Sequence, residues 1–487
     1  MNDFVTTPRP APSRLRPLAL GIAAACLGGS ALPLQAGPLQ DALRERIADG
    51  RFVVPPAVLR RIEDASAARV QAPTGLTRQV TNCDDSGAGS LRDTIGDADT
   101  DDTIDLSQLT CSRITLTSGA IYFGQENLAI DGPGAGRLAI DGNLQDGVLV
   151  HLGAGTLKVS DVSLENSFKY RTTDDALGGC IHTEGSAMLI SAVLRNCNSI
   201  STGTRCSLGG VVFAQETVTL DHSIITGSMA KAAGNGYASG GGLYARNGIV
   251  STYSTVSNNV AIGESSTPSF GGGMFAWNGG LILGTTISGN QSARMGGIAT
   301  KGSSSYTLTM VNSTVSGNVA NRVGGIESVQ KLNLYNSTIA FNTSHEWDIG
   351  SGTFFGAGVH IHLAGEMDST IIANNVNTSA PFPTADLTGV ASTGFSGGHN
   401  NVMFCGAACP TDTSHEDPGL HPLQDNGGPT RTHVPTPGQW DTFGGSNVLG
   451  WTWDQRGPGF ARQSPGDWPE IGALQINSDI IFANGFN

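Results

Sequence analysis

The chain has 487 residues, with 41 acidic against 27 basic side chains and a net charge of −14. A surface this acidic repels phosphate backbones and anionic lipid, which argues against nucleic acid as a partner. Charged residues at 14% and 67 glycines, about twice the ordinary share, fit neither a disordered polyelectrolyte nor an average mixed domain.

Residues 1–36 read as a secretory leader. Arg9, Arg14 and Arg16 form a basic start, Leu18 to Leu27 an apolar run, and Ala31 or Ala36 a small residue for cleavage. The apolar run is too short to span a bilayer, and no later stretch reads as a transmembrane helix. Cys26 lies inside the run and leaves a lipid-anchored form open, although Ala23-Ala24-Ala25 lacks the usual leading leucine. The expected location is therefore secreted or cell-surface. Residues 37–76 read as a helical spacer: Leu39, Leu43 and Ile47 share a helical face, Gly50 stops it, and a second face starts at Leu59 after Pro55-Pro56.

From Thr77 the texture turns to strand. Residues 80–95 hold a turn and a short helix with Ser90 as N-cap before Leu91, and stretches 102–121 and 127–143 alternate apolar and polar. Residues 77–170 are expected to be the first coils of a solenoid, their open end covered by that helix, because an open end exposes core and unpaired strand edges.

Residues 171–385 repeat. Gly-Gly or Gly-x-Gly followed by an apolar residue recurs at Gly179, Gly210, Gly242, Gly273, Gly297, Gly325 and Gly358, in steps of 31, 32, 31, 24, 28 and 33. A phrase of the type STVSGN keeps a similar step, at 254–259, 285–290, 313–318, 337–342 and 369–374, with a degenerate SIITGS at 223–228. A unit of this length, with short period-two strands and Gly/Asn/Ser corners, cannot bury its apolar side alone and must stack. The fold class expected is all-β, a right-handed parallel β-helix. Glycine suits a corner of positive φ. The recurrent asparagine suits a left-handed corner or a side-chain ladder between coils about 4.8 Å apart. Residues 386–475 are loop-rich and read as a far-end cap, and 476–487 as an apolar strand-like tail.

The Gly-Gly and STVSGN phrases resemble the repeats of polymorphic outer membrane proteins. Asn426-Gly427-Gly428-Pro429-Thr430, Asp454-Gln455-Arg456-Gly457 and Ile471-Gly472-Ala473 resemble the choice-of-anchor Q proteins, as does the opening at 80–95. The resemblance covers roughly 77–475 and implies a pectin-lyase-like β-helix at the cell surface, adhesive or of unknown function. The second half of the outer-membrane repeat, Phe-x-x-Asn, is Ser-Gly-Asn here, and no autotransporter barrel is read after it, so self-insertion in a membrane is not expected.

Export permits disulfides. Cys83 with Cys111 and Cys405 with Cys409 are the expected pairs, and Cys180, Cys197 and Cys206 leave one pair and one odd thiol open. The acidic run at Asp97, Asp99, Asp101, Asp102 and Asp105 opens like a calcium loop but lacks Gly at the sixth place and an acid at the twelfth, Gln108. A solvated loop is expected rather than a calcium site at Asp97, Asp99 and Asp101, and no cofactor is expected.

If the residue after each glycine pair points inward, Tyr244, Phe275, Ala299, Glu327 and His360 form one outer column. Arg246, Trp277, Lys301, Val329 and His362 form its neighbour. Aromatic faces with interleaved cations suit sugar or partner binding, so Tyr244, Arg246, Phe275, Trp277 and Lys301 are the candidate binding residues. The other reading is cross-strand stacking that only stabilises the sheet. Catalysis would need matched acids on adjacent coils, and the repeat register shows one acid, in the group Glu327, His360 and His362. The expectation is an exported monomer, adhesive or structural, contacting surface glycans or proteins. The alternative is a polysaccharide lyase or glycoside hydrolase.

Overall fold

The computed structural model describes residues 75–264, 268–345, 355–379, 386–390, 394–405, 408–436, 444–462 and 469–476. The leader, nearly all of the spacer and the tail beyond Ile476 lie outside the described residues. What is described is a right-handed parallel β-helix, the hand that parallel strands crossing over in one sheet adopt. One coil shows the plan: Leu243–Ala245, Ile249–Thr252, Thr255–Ser257 and Val260–Gly263 each pair in parallel with the coils before and after. We call these four positions sheets 1 to 4. Among the described residues sheet 1 has ten strands and sheet 2 twelve.

Stacking puts the inward residue of each strand on the inward residue of the next. In sheet 3 one column runs Ile114, Ile140, Leu164, Leu194, Ile225, Val256, Ile287, Val315, Ile339, Ile372 and Val402, every member essentially inaccessible. Each such side chain contributes roughly 1.5–3 kcal/mol by leaving water. In sheet 1 the residue after the glycine pair points inward at Leu243, Met274, Ile298, Ile326 and Val359, while in the two earlier coils the same buried column falls one residue later, on Ile181 and Val212 rather than Cys180 and Val211.

The two repeat markers keep one step because they touch. A Cβ on Gly273 would lie 2.9 Å from Asn290 Nδ2, and one on Gly358 would lie 2.7 Å from Asn375 Nδ2. The second glycine is thus a site of close approach, while positive φ falls on the glycine opening the run, as at Gly240 (64°) and Gly271 (61°). The asparagines form a ladder: Nδ2 of Asn259, Asn290, Asn318 and Asn342 donates to Oδ1 of the next rung at 2.8–3.1 Å, and Asn375 donates to Asp386 at 2.8 Å. The rung carrying the last phrase is Asn375, since Thr338 pairs with Ile371; the phrase read at 369–374 is one residue out of register.

At the first end, the helix α1 (Leu91–Gly96) is capped by the Ser90 side chain and buries Leu91 and Ile95 in the core. Disulfides join Cys83 to Cys111, Cys180 to Cys197, and Cys405 to Cys409. Cys197 holds a ladder position, its N–H bonded to Ser228 Oγ at 3.0 Å, and so Cys180 closes onto it as Gly273 approaches Asn290.

The segment expected as a far-end cap does something else. The loop closed by Cys405–Cys409 puts Ala408 on the last coil's core, but the chain then turns back along the outer side of sheets 2 and 3. Thr430 Oγ1 donates to Gly284 O (2.9 Å), Thr314 Oγ1 to Gln455 Oε1 (2.6 Å), Arg462 to Asn312 Oδ1 (2.6 Å) and Asn336 Nδ2 to Ser446 O (3.0 Å). Leu449 and Trp451 cover Val250, Leu281, Leu283, Val311 and Tyr335. It is a lateral strap, and the motifs at 426–430, 454–457 and 471–473 are its buckles. Arg456 is buried against Asp454 at 2.6 Å with Phe460 beneath its guanidinium at 4.1 Å.

Candidate functional site on the outer face of sheet 1

In the first outer column the register runs His182, Phe213, Tyr244, Phe275, Ala299, Glu327 and His360. Phe213, Tyr244 and Phe275 stack face to face at 5.4 and 5.0 Å. They are not an open strip, because Tyr244 is 2% and Phe275 1% exposed. The segments preceding the glycine pairs fold over them: Phe270 lies 6.5 Å from Phe275 and 6.1 Å from Tyr237, and all are buried. Burial pushes the Tyr244 hydroxyl up from its ordinary value. The alternation of sheet 1 is as expected; the exposure is not, since period-two patterning cannot register what a distant loop lays on top.

The second column keeps an open side. Arg246, Trp277 and Lys301 follow one another on successive coils and are half-buried, bonded in step through Trp277 N to Ala245 O (3.0 Å) and Lys301 N to Ala276 O (3.3 Å). The Trp277 ring is 6.2 Å from Phe275 and so rests on the aromatic bed. Lys301 Nζ sits 3.8 Å above the Phe270 ring, with the Arg294 guanidinium 5.8 Å from the same ring. Burial, then the Arg294 guanidinium, push the Lys301 ammonium down to about 8.

Glu327, His360 and His362 do come together. His362 Nε2 is 3.0 Å and Arg322 3.3 Å from Glu327 Oε1, while Glu327 Oε2 is buried with no hydrogen-bond partner. Burial raises the Glu327 carboxyl, but His362 and Arg322 together hold it below its ordinary value. His360 bonds Thr388 Oγ1 at 2.7 Å, and burial drives its imidazole down to about 4, so it is neutral near pH 7. The group thus holds one acid, a carboxylate paired with Arg322 and His362, beside the imidazole of His360.

Two features escaped the sequence. Asp141 and Glu165 are matched acids on adjacent coils of sheet 3, contrary to the reading that outward acids do not recur. Arg113 bridges both and Arg195 bonds Glu165 at 2.6 Å, which holds the Glu165 carboxyl low against its burial. They lie in coils without the glycine marker, so no register could be read there. The second is a partly exposed face of sheet 4 where apolar residues alternate with polar ones: Phe168, Asn198, Met229, Val260, Gln291, Val319, Thr343 and Val376 share a column, and Tyr170, Ile200, Lys231 and Ile262 the next. Its strands follow the ladder asparagine and are short and mixed in sequence.

In the acidic run, Asp99 and Asp102 both turn to Arg78, and Asp101 accepts from Asn127 Nδ2 at 2.8 Å. Asp97 caps α1 through its backbone. Among the described residues no group of three or more His, Cys, Asp or Glu is placed to hold a metal ion, and no helix is long and apolar enough to cross a membrane.

No family model and no curated protein matches the chain. Among solved structures, pectate lyase Pel9A is similar at a TM-score of 0.42 and 11% identity, over 84% of this chain and 100% of that one.

Proposed function

We propose that the protein is an exported, surface-associated β-helix that binds glycans or proteins through its outer face and carries no catalysis of its own. The observation that supports this most is the row Arg246, Trp277 and Lys301, half-exposed on a stiff aromatic bed. Parallel strands hold such a row at steps of about 4.8 Å, so a bound chain meets side chains that are already in place. The basic and apolar leader at 9–36 supports export. A glycan array with the purified chain tests the reading. Trp277→Ala is expected to lower the signal about tenfold, and an unchanged signal across every ligand would refute it. Detection in medium or in outer-membrane fractions tests the location, and a purely cytoplasmic distribution would sink it.

One observation favours the lyase or hydrolase alternative: Glu327 and His362 are within hydrogen-bond reach on an outer face. Turnover of pectin, alginate or chondroitin, lost in Glu327→Gln, would establish it in place of the binding reading.

A further inference from the structure

We infer that the last segment of the strap, residues 469–476, is a pH-sensitive latch, fastened while the Glu470 carboxyl is protonated and loosened as that carboxyl ionises. Two buried polar atoms without a partner mark the place. Glu470 and Arg462 are both wholly inaccessible, yet Glu470 Oε1 and Arg462 Nε make no hydrogen bond. Native interiors leave few such atoms, and each calls for a physical reason.

Around them the segment is tied on both sides. Toward the coils, Gly472 N donates to Ser369 O at 2.8 Å and Ala473 N to Thr338 Oγ1 at 3.0 Å, while Ile471 packs on Ile371 and Ala373. Toward the rest of the strap, Gln455 N donates to Ala473 O at 3.0 Å and Gln475 N to Asp454 Oδ2 at 2.8 Å. Arg462 is the clamp. Its guanidinium donates to Gly472 O and Ala473 O, both at 2.8 Å, and to Asn312 Oδ1 at 2.6 Å.

The charges in this cluster are unevenly matched. Arg456 answers Asp454 through Nε at 3.0 Å and Nη2 at 2.6 Å. Asp368, on the coil beneath, is taken up by Ser369, Ser446 and His399. That leaves the Arg462 guanidinium, held by carbonyl oxygens alone, and the Glu470 carboxyl, which accepts only the N–H of Ile476. One N–H does not offset the cost of burying a carboxylate, so the closed segment favours the neutral acid. Burial lifts the Glu470 carboxyl to about 7, against the Ile476 N–H and the Arg462 charge that lower it. Once ionised, it finds one cation in the cluster that is not already paired with a carboxylate. Pairing with Arg462 draws the guanidinium off the carbonyls of Gly472 and Ala473, and the two partnerless atoms are the ones that this second arrangement joins. In the loosened segment the carboxyl returns to about 4.3, so closure is complete below that pH and is lost as pH rises through about 7.

Hydrogen exchange of the full chain at pH 5 and pH 8, each rate divided by its intrinsic rate, tests this. Protection at the Gly472 and Ala473 amides is expected to fall about tenfold or more between the two. Glu470→Gln, neutral at both values, should abolish the fall. Asp386→Asn, which silences the other raised carboxyl, should keep it, and in that variant the ladder amide of Asn290 should not follow. Equal protection at pH 5 and pH 8 in the parent would overturn the latch without recourse to any variant. A fall that survives Glu470→Gln would place the titration in another group, and an equal fall at Asn290 would mean that the whole β-helix loosens; either result refutes the latch.

Discussion

Replacing Asn318 by alanine takes out the middle rung of a buried ladder and tests what holds the coils in step. Its Oδ1 accepts from the backbone N–H and Nδ2 of Asn290, both at 2.9 Å, and its Nδ2 donates to Ile287 O at 3.0 Å and Asn342 Oδ1 at 2.9 Å. Alanine leaves the Asn290 N–H without its acceptor inside the protein, at about 1–3 kcal/mol, and forfeits further amide bonds at about 1 kcal/mol each. The expected loss is about 3–5 kcal/mol. Asn318→Asp has the same shape, yet its second oxygen would face two acceptors where two were served by an amide, and its charge would be buried. At pH 7 aspartate should therefore cost more than alanine. Its carboxyl would be raised above the unfolded value of about 3.9, so the penalty is absent below that pH and grows as pH rises through the raised value. Urea unfolding at pH 5 and pH 7, with hydrogen exchange at Asn290 to catch local opening, measures both effects. An alanine variant within 1 kcal/mol of the parent, or an aspartate variant that ignores pH, would refute the ladder as a source of stability.

Burial pushes the Asp386 carboxyl up to about 7 against three N–H donors, from Asn375 and Phe404. A raised carboxyl gives stability that is complete below the unfolded value and is lost as pH rises through about 7, so the melting temperature should fall from pH 5 to pH 8. That slope should flatten in Asp386→Asn; an equal slope in both proteins would place the titration elsewhere. Gln455 joins Thr286, Thr314 and Thr430 within 3.0 Å, and Gln455→Ala should cost about 2–4 kcal/mol. Limited proteolysis should then cut within 419–476 first, and a strap as resistant as the parent's would contradict its role. Removing the Cys180–Cys197 bridge, 17 residues apart, by paired serines should lower stability by about 3 kcal/mol in a denaturant titration, and no change would deny it a structural part. Gly273→Ala should be destabilising by more than an exposed Gly→Ala change, because its Cβ has Asn290 Nδ2 and Gly297 O both at 2.9 Å. A neutral outcome in thermal melts would mean the glycine and asparagine markers do not meet.

What the letters determine by themselves is whatever repeats along the chain. The step between Gly242, Gly273, Gly297 and Gly325, the inward turn of Leu243 and Met274, the Ser90 cap and the stacking order of Tyr244, Phe275 and Glu327 follow from period and local chemistry. Neighbouring coils interact at short, regular separations, so a pattern read once holds in every coil. The tertiary structure alone decides what covers what. Phe270 lies over Phe275, and Gln455 reaches Thr314 across 141 residues, through contacts that leave no periodic trace. That is why the aromatic column was legible in register but not in exposure, why the cap became a strap, and why the Asp141–Glu165 pair stayed hidden in coils without the glycine marker. Periodicity encodes orientation relative to the coil axis; burial also depends on what the rest of the chain brings to the surface.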